Sequence, residues 1–120
     1  MKIISSRFAT RLFLAGTVLF GLGLMTALPA TAETPVFEIL IKDHKFEPTE
    51  VTIPAATKVK LLVKNLDPTP EEFESFDFNR EKIIAGDSQA VIFVGPLEPG
   101  RYNFFGEFNV ETAQGYLVVK

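Results

Sequence analysis

The sequence predicts an all-β Greek-key sandwich or barrel of seven to eight short strands. Three observations predict it: apolar and polar residues alternate with period two in several short runs, turn-forming residues recur about every eight to twelve positions, and no stretch carries a convincing helical period. Val36 to Lys42 is the first run, with Phe37, Ile39 and Ile41 alternating with Glu38, Leu40 and Lys42. Asp43 to Pro48 reads as a turn or loop, Val51 and Ile53 repeat the alternation briefly, and Pro54-Ala55-Ala56 is a second turn. Lys58 to Lys64 is the clearest strand, with Val59, Leu61 and Val63 inward and Lys58, Lys60 and Lys64 on an exposed face; were this strand an edge, the lysines would discourage pairing with other chains.

Asn65 to Pro70 is a breaker-rich loop, and Glu72 to Phe78 resumes an extended pattern rich in aromatics. Asn79-Arg80-Glu81-Lys82 and Ala85-Gly86-Asp87 read as turns, Val91 to Val94 as a short apolar strand, and Pro96 to Gly100 as a tight connection into Arg101–Phe105. Gly115 to Val119 closes the chain. These strands are expected to form a two-layer antiparallel sandwich.

Residues 1–32 have the order of a secretory signal. Lys2, Arg7 and Arg11 precede an apolar run of about 14 residues, Leu12 to Met25, and Ala30-Thr31-Ala32 supplies small residues at a cleavage site. The run is shorter than the roughly 20 residues that span a bilayer. Cleavage after Ala32 leaves a domain of residues 33–120 in the periplasm with no transmembrane segment; the rival reading is an uncleaved amphipathic anchor. Both methionines leave with the signal, and nine basic residues against fifteen acidic ones leave a formal charge of −6. That balance argues against nucleic acid or anionic lipid as partner and fits a cation or metal ion. Without cysteine no disulfide assists so small a domain, and the nine phenylalanines that remain must carry much of the burial.

The strings FEPTEVTIPA (46–55), EEFESFDFNREK (71–82) and PGRYNFFGEFNVETAQGYLVV (99–119) resemble the cupredoxins over nearly the whole exported domain. More narrowly, they resemble the small periplasmic cupredoxin-like proteins of ferrous-iron uptake, whose domain is also fused into periplasmic iron-binding lipoproteins. The resemblance implies a cupredoxin-like sandwich, iron or copper ions as cofactor or cargo, and an inner-membrane iron permease or a periplasmic iron-binding protein as partner. Copper-binding cupredoxins draw Cys, His and Met from the loop before the last strand; the matching positions here are Gly106, Asn109 and Ala113. A blue-copper centre needs a thiolate and two imidazoles, so type-1 electron transfer is excluded by composition.

A different site remains open. Oxygen donors suit harder ions, and one end of the barrel is expected to gather Glu71, Glu72 and Glu74 from one loop with Glu107, Asn109 and Glu111 from another. His44 joins them if the first loop lies on the same rim. The metal-ligand candidates are His44, Glu72, Glu74 and Glu107. Each has a plainer reading: His44 a solvated turn residue, Glu72 a solvated charge, Glu107 a carboxylate satisfying backbone donors. Glu74 shares a face with Phe76 and Phe78 in period-two register and needs a partner, either a metal or an ion pair with Arg80 or Arg101. Phe104, Phe105 and Phe108 read as packing, or as a docking patch where two of them are exposed together.

Two functions compete: an accessory protein binding iron or copper in ferrous-iron uptake, and a metal-free interaction module contacting another envelope protein. No nucleophile and base pair can be assembled from one histidine and no cysteine, so no catalytic residue is assigned. Oxidation of ferrous iron at a bound metal is the one enzymatic role the residues leave open.

Overall fold

The computed structural model describes residues 16–18, 20–28 and 32–120. Most of the expected signal, with its basic start and the residues of its cleavage site up to Thr31, lies outside the described residues. Residues 1–30 and 31–120 form two separate units. In the first, the described residues carry no helix or strand, and among the described residues no helix is long and apolar enough to cross a membrane.

The second unit is built of nine strands: β1 Val36–Lys42, β2 Lys45–Glu47, β3 Glu50–Ile53, β4 Val59–Asn65, β5 Glu71–Ser75, β6 Arg80–Ile84, β7 Ser88–Val94, β8 Gly100–Gly106 and β9 Gln114–Val119. A short 3-10 turn, Glu107–Asn109, follows β8. The strands form a four-stranded sheet in the order β2-β1-β4-β7 and a five-stranded sheet in the order β3-β9-β8-β5-β6. The all-β sandwich expected from the sequence is present, with two corrections.

The first correction is the strand count. Lys45–Glu47, inside a stretch expected as a loop, and Arg80–Ile84, whose first three residues were expected in a turn over Asn79 to Lys82, are strands. Asp43 and His44 both take positive φ, 53° and 57°, the conformation a two-residue hairpin turn requires. The chain therefore folds straight back, setting Phe46 opposite Ile41. The second correction concerns direction. Both sheets are mixed, because β1 pairs with β4 and β3 with β9 in parallel. The chain crosses to the second sheet at β3 and returns at β4 on the other side of β1, so the two strands run the same way.

The core lies between the sheets. Phe46, Phe73 and Phe104, from β2, β5 and β8, are fully buried, with ring centroids 5.9 Å (46 to 73), 5.0 Å (46 to 104) and 5.0 Å (73 to 104) apart. Val59, Leu61 and Val63 point inward from β4, as their spacing predicts. On its outer side Lys58 and Lys60 lie over the Phe93 ring, at 4.9 and 5.6 Å from its centroid, and Lys64 pairs with Glu38 at 2.8 Å. Since β4 is flanked by β1 and β7, the lysines cover apolar surface rather than guard an edge.

Candidate functional site

One end of the sandwich is organised by Asn65, the buried last residue of β4. Its Nδ2 donates to the carbonyls of Thr69 (2.8 Å), Ile84 (3.2 Å) and Ala85 (3.3 Å), and its Oδ1 accepts from the Asp67 N–H (3.1 Å). Asp67 ties this loop to the β1–β2 turn by accepting from the N–H groups of Asp43 (2.8 Å) and His44 (3.0 Å). Its carboxyl is held below the usual range, chiefly by the His44 N–H, with the Asp43 N–H and the nearby imidazole assisting against the effect of burial. The half-exposed His44 ring has Nδ1 3.6 Å from Asp67.

Beyond this loop the chain enters β5, where alternation sends consecutive glutamates to opposite sides of the sheet. Glu71 points inward with Phe73 and Ser75; Glu72 and Glu74 point outward. The Glu71 carboxylate is fully buried. Its Oε1 accepts from the N–H groups of Phe108 (2.9 Å) and Glu72 (3.0 Å), and its Oε2 from Nδ2 of Asn109 (2.6 Å). A Cβ added at Gly106 would lie 2.7 Å from Glu71 Cδ and 2.6 Å from the Ala113 Cβ. The carboxylate thus sits among Gly106, Asn109 and Ala113, the three positions matched to the copper ligands of the family. Glycine and alanine offer no donor atom in their side chains, and the space is filled, so a type-1 copper ion does not fit here.

On the outer face of the five-stranded sheet β6 runs beside β5 with Glu81 opposite Glu74 and Ile83 opposite Glu72. Glu107, at the start of the 3-10 turn, completes a group of four carboxyls. Glu72 is pushed up to about 7, first by its hydrogen bond with Glu81, then by burial and the charges of Glu81, Glu74 and Glu107. Glu74 is raised by burial and by the charges of Glu107 and Glu81, with a hydrogen bond to Glu107 adding to the effect. Neither arginine expected for Glu74 reaches it. Arg80 donates to the carbonyls of Phe93 (2.7 Å) and Asn79 (2.8 Å), and Arg101 pairs with Glu50 at 2.6 Å. Among the described residues no ion pair neutralises any of the four.

The structure therefore brings Glu72, Glu74 and Glu107 together and places His44 with Asp67. Among the described residues, no three His, Cys, Asp or Glu side chains are arranged to hold a metal ion; Glu72 is affected most by Glu81, and Glu74 by burial and then by Glu107. Phe104 belongs to the core, Phe105 is buried on the outer face 5.3 Å from the exposed Phe76 ring, and Phe108 is half-exposed. Phe78 is buried in the core instead of sharing the outer face with Glu74. Glu71 meets Asn109, as the sequence reading gathers them, but on the inner face, buried and hydrogen-bonded and apart from Glu72 and Glu74; Glu81 is missed by the sequence reading, because it falls in a stretch read as a turn.

The carboxyl group has a measurable consequence. Glu72 titrates near 4.5 in an unfolded chain and about 7 in the fold, so the folded state holds the proton more tightly. The stability this confers is whole below pH 4.5 and is lost as pH rises through 7. The thermal midpoint is expected to fall between pH 5 and pH 8, and Glu81→Gln, which removes the main cause of the shift, to flatten that slope. An unaltered slope in the variant would show that Glu72 is not the group responsible.

Several solved structures share this fold. The metal-binding domain of the Cu(I)-exporting P-type ATPase CopA of Streptococcus pneumoniae, solved with Cu(I), matches with a TM-score of 0.65 at 17% identity, covering 75% of this chain and 91% of that one. Auracyanin A, a "blue" copper protein of Chloroflexus aurantiacus, matches at 0.64 with 16% identity, covering 73% and 100%. Amicyanin of Paracoccus versutus matches at 0.53 with 20% identity, covering 77% and 86%. In sequence, an uncharacterized protein of Rickettsia prowazekii (strain Madrid E) is 49% identical over 82 residues, which make up 68% of this chain and 66% of that protein. The model of the cupredoxin-like domain matches residues 12–119, and with the nine-stranded sandwich this places the chain in the cupredoxin-like domain family.

Proposed function

We propose that this is an exported accessory protein of ferrous-iron uptake that takes iron as cargo on the carboxylate face of its five-stranded sheet and passes it to an inner-membrane permease or a periplasmic iron-binding protein. One observation carries the reading: Glu72, Glu74, Glu81 and Glu107 lie near enough to raise the proton affinity of Glu72 and Glu74, with Glu74 opposite Glu81 and no cationic partner among the described residues. A cation would have to draw them into a site they do not form without it. Like charges so placed retain a proton near neutral pH or take a cation, and a divalent ion competes for the same oxygens. The donor set is all oxygen, which favours iron over Cu(I), whose preference is for sulfur. The signal-like leader and the string EEFESFDFNREK support the periplasmic setting and the iron-uptake role. Copper is the metal named for several proteins of this fold, and Cu(II) is accordingly the competing ion.

Calorimetric titration of the metal-free protein, with Fe(II) under anaerobic conditions and separately with Cu(II), tests the reading. One Fe(II) site is expected, weakened at least tenfold, about 1.4 kcal/mol, by Glu74→Gln or Glu81→Gln and unchanged by His44→Ala. Flat traces for both ions would instead favour a metal-free interaction module. The exposed Phe76, in contact with Phe105 beside the acidic group, is the observation behind that second reading, since an aromatic next to uncompensated negative charge suits a basic, partly apolar partner segment.

A further inference from the structure

We infer that the Glu71 carboxylate takes over the organising role that a metal ion has in copper-binding relatives, so that the loop before the last strand is fixed by the protein alone. A metal at such a place is a cation ringed by lone pairs. Here the polarity is reversed: an acceptor sits at the centre and the rim presents donors. Oε1 accepts from the Phe108 and Glu72 N–H groups and Oε2 from Asn109 Nδ2, so every hydrogen bond to the buried group comes from a donor. The two positions that would supply sulfur, Gly106 and Ala113, carry the side chains small enough to admit it: a Cβ at Gly106 would stand 2.9 Å from Glu71 Oε1.

The loop is then closed by its own backbone. The Gly106 N–H donates to the Ala113 carbonyl (2.9 Å) and the Ala113 N–H to the Asn109 carbonyl (2.8 Å). The Gln114 amide donates to the Val110 carbonyl and the Thr112 hydroxyl to the His44 carbonyl, at 2.7 and 2.6 Å. Glu71 lies on β5, 37 residues before Phe108, and is the side chain through which β5 grips this loop from inside. This role belongs to the inner face of the sheet and does not depend on iron binding at the outer one.

Hydrogen exchange of the Phe108 amide, followed by NMR in the presence of a chelator, tests the inference. The amide is expected to be protected in the metal-free protein, with protection unchanged by added Cu(I) under reducing conditions. Glu71→Ala removes the acceptor and the protection. Glu71→Gln turns one oxygen into a donor facing another donor and is expected to lower protection roughly tenfold or more. Glu71→Gln combined with Asn109→Asp restores a donor-acceptor pair and is expected to recover most of that loss. The last two variants decide the matter even if Glu71→Ala does not fold. A Phe108 amide that exchanges freely with chelator present and becomes protected on adding Cu(I) would overturn the inference, as would a double variant no better protected than Glu71→Gln.

Discussion

Replacing Phe73 with alanine is expected to lower the free energy of unfolding by about 3–5 kcal/mol, measured by denaturant titration. The ring is fully buried and touches aromatics from three other parts of the chain: Phe46 on β2, Phe104 on β8, and Phe78 beyond β5, with centroids at 5.9, 5.0 and 6.3 Å. Since β2 belongs to one sheet and β5 and β8 to the other, the cluster joins the two layers. Aromatic pairs of this geometry add roughly 0.5–1.5 kcal/mol beyond the area they bury, and truncation forfeits several together while leaving a cavity. With no cysteine to form a disulfide, no covalent link makes up the loss in a domain this small. Phe76→Ala, one strand end away but 77% exposed, is the control and is expected to change stability by no more than about 0.5 kcal/mol. A Phe73 variant no worse than that control would mean the layers are held elsewhere.

How much of this was legible in the sequence depended on whether a strand has two unlike faces. Val36–Lys42 and Val59–Asn65 each bury one side, and their alternation located both. Arg80–Ile84 is the edge of its sheet and exposes four of its five residues; with nothing to alternate, its first three residues read as part of a turn. Glu81 was lost with it, since only the pairing of β6 on β5 puts that residue opposite Glu74. Parallel pairing of β1 with β4 leaves no local trace, because it follows from where the chain changes sheets. At the site, the missing thiolate and thioether were legible from composition alone. The inward glutamate was not: in a run reading Glu71-Glu72-Phe73-Glu74, a shift of one residue exchanges the faces. The buried Phe73 fixes the register, and Glu71 goes inward with it.

That register bears on what a thiol would do if returned to position 106. Gly106→Cys is expected to destabilise the domain by about 3 kcal/mol and to give no blue-copper centre. Its Cβ would enter within 2.6 Å of the Ala113 Cβ and 2.7 Å of Glu71 Cδ. Overpacking of this kind costs roughly 1–3 kcal/mol. Ordinarily the end of a long side chain would swing aside, but Glu71 is held by three donors, and moving it strands buried N–H groups at about 1–3 kcal/mol. The two positions are therefore coupled. In a Glu71→Ala background the added loss from Gly106→Cys is expected to be smaller than in the wild type, by roughly 0.5–3 kcal/mol. Additive losses would mean that Ala113 alone resists the thiol and that Glu71 yields. Coupled losses would mean that the carboxylate and the glycine hold the pocket closed jointly. Copper would still lack an imidazole at Asn109 and a thioether at Ala113 in either variant, so no single substitution along this loop leads back to a soft-metal site.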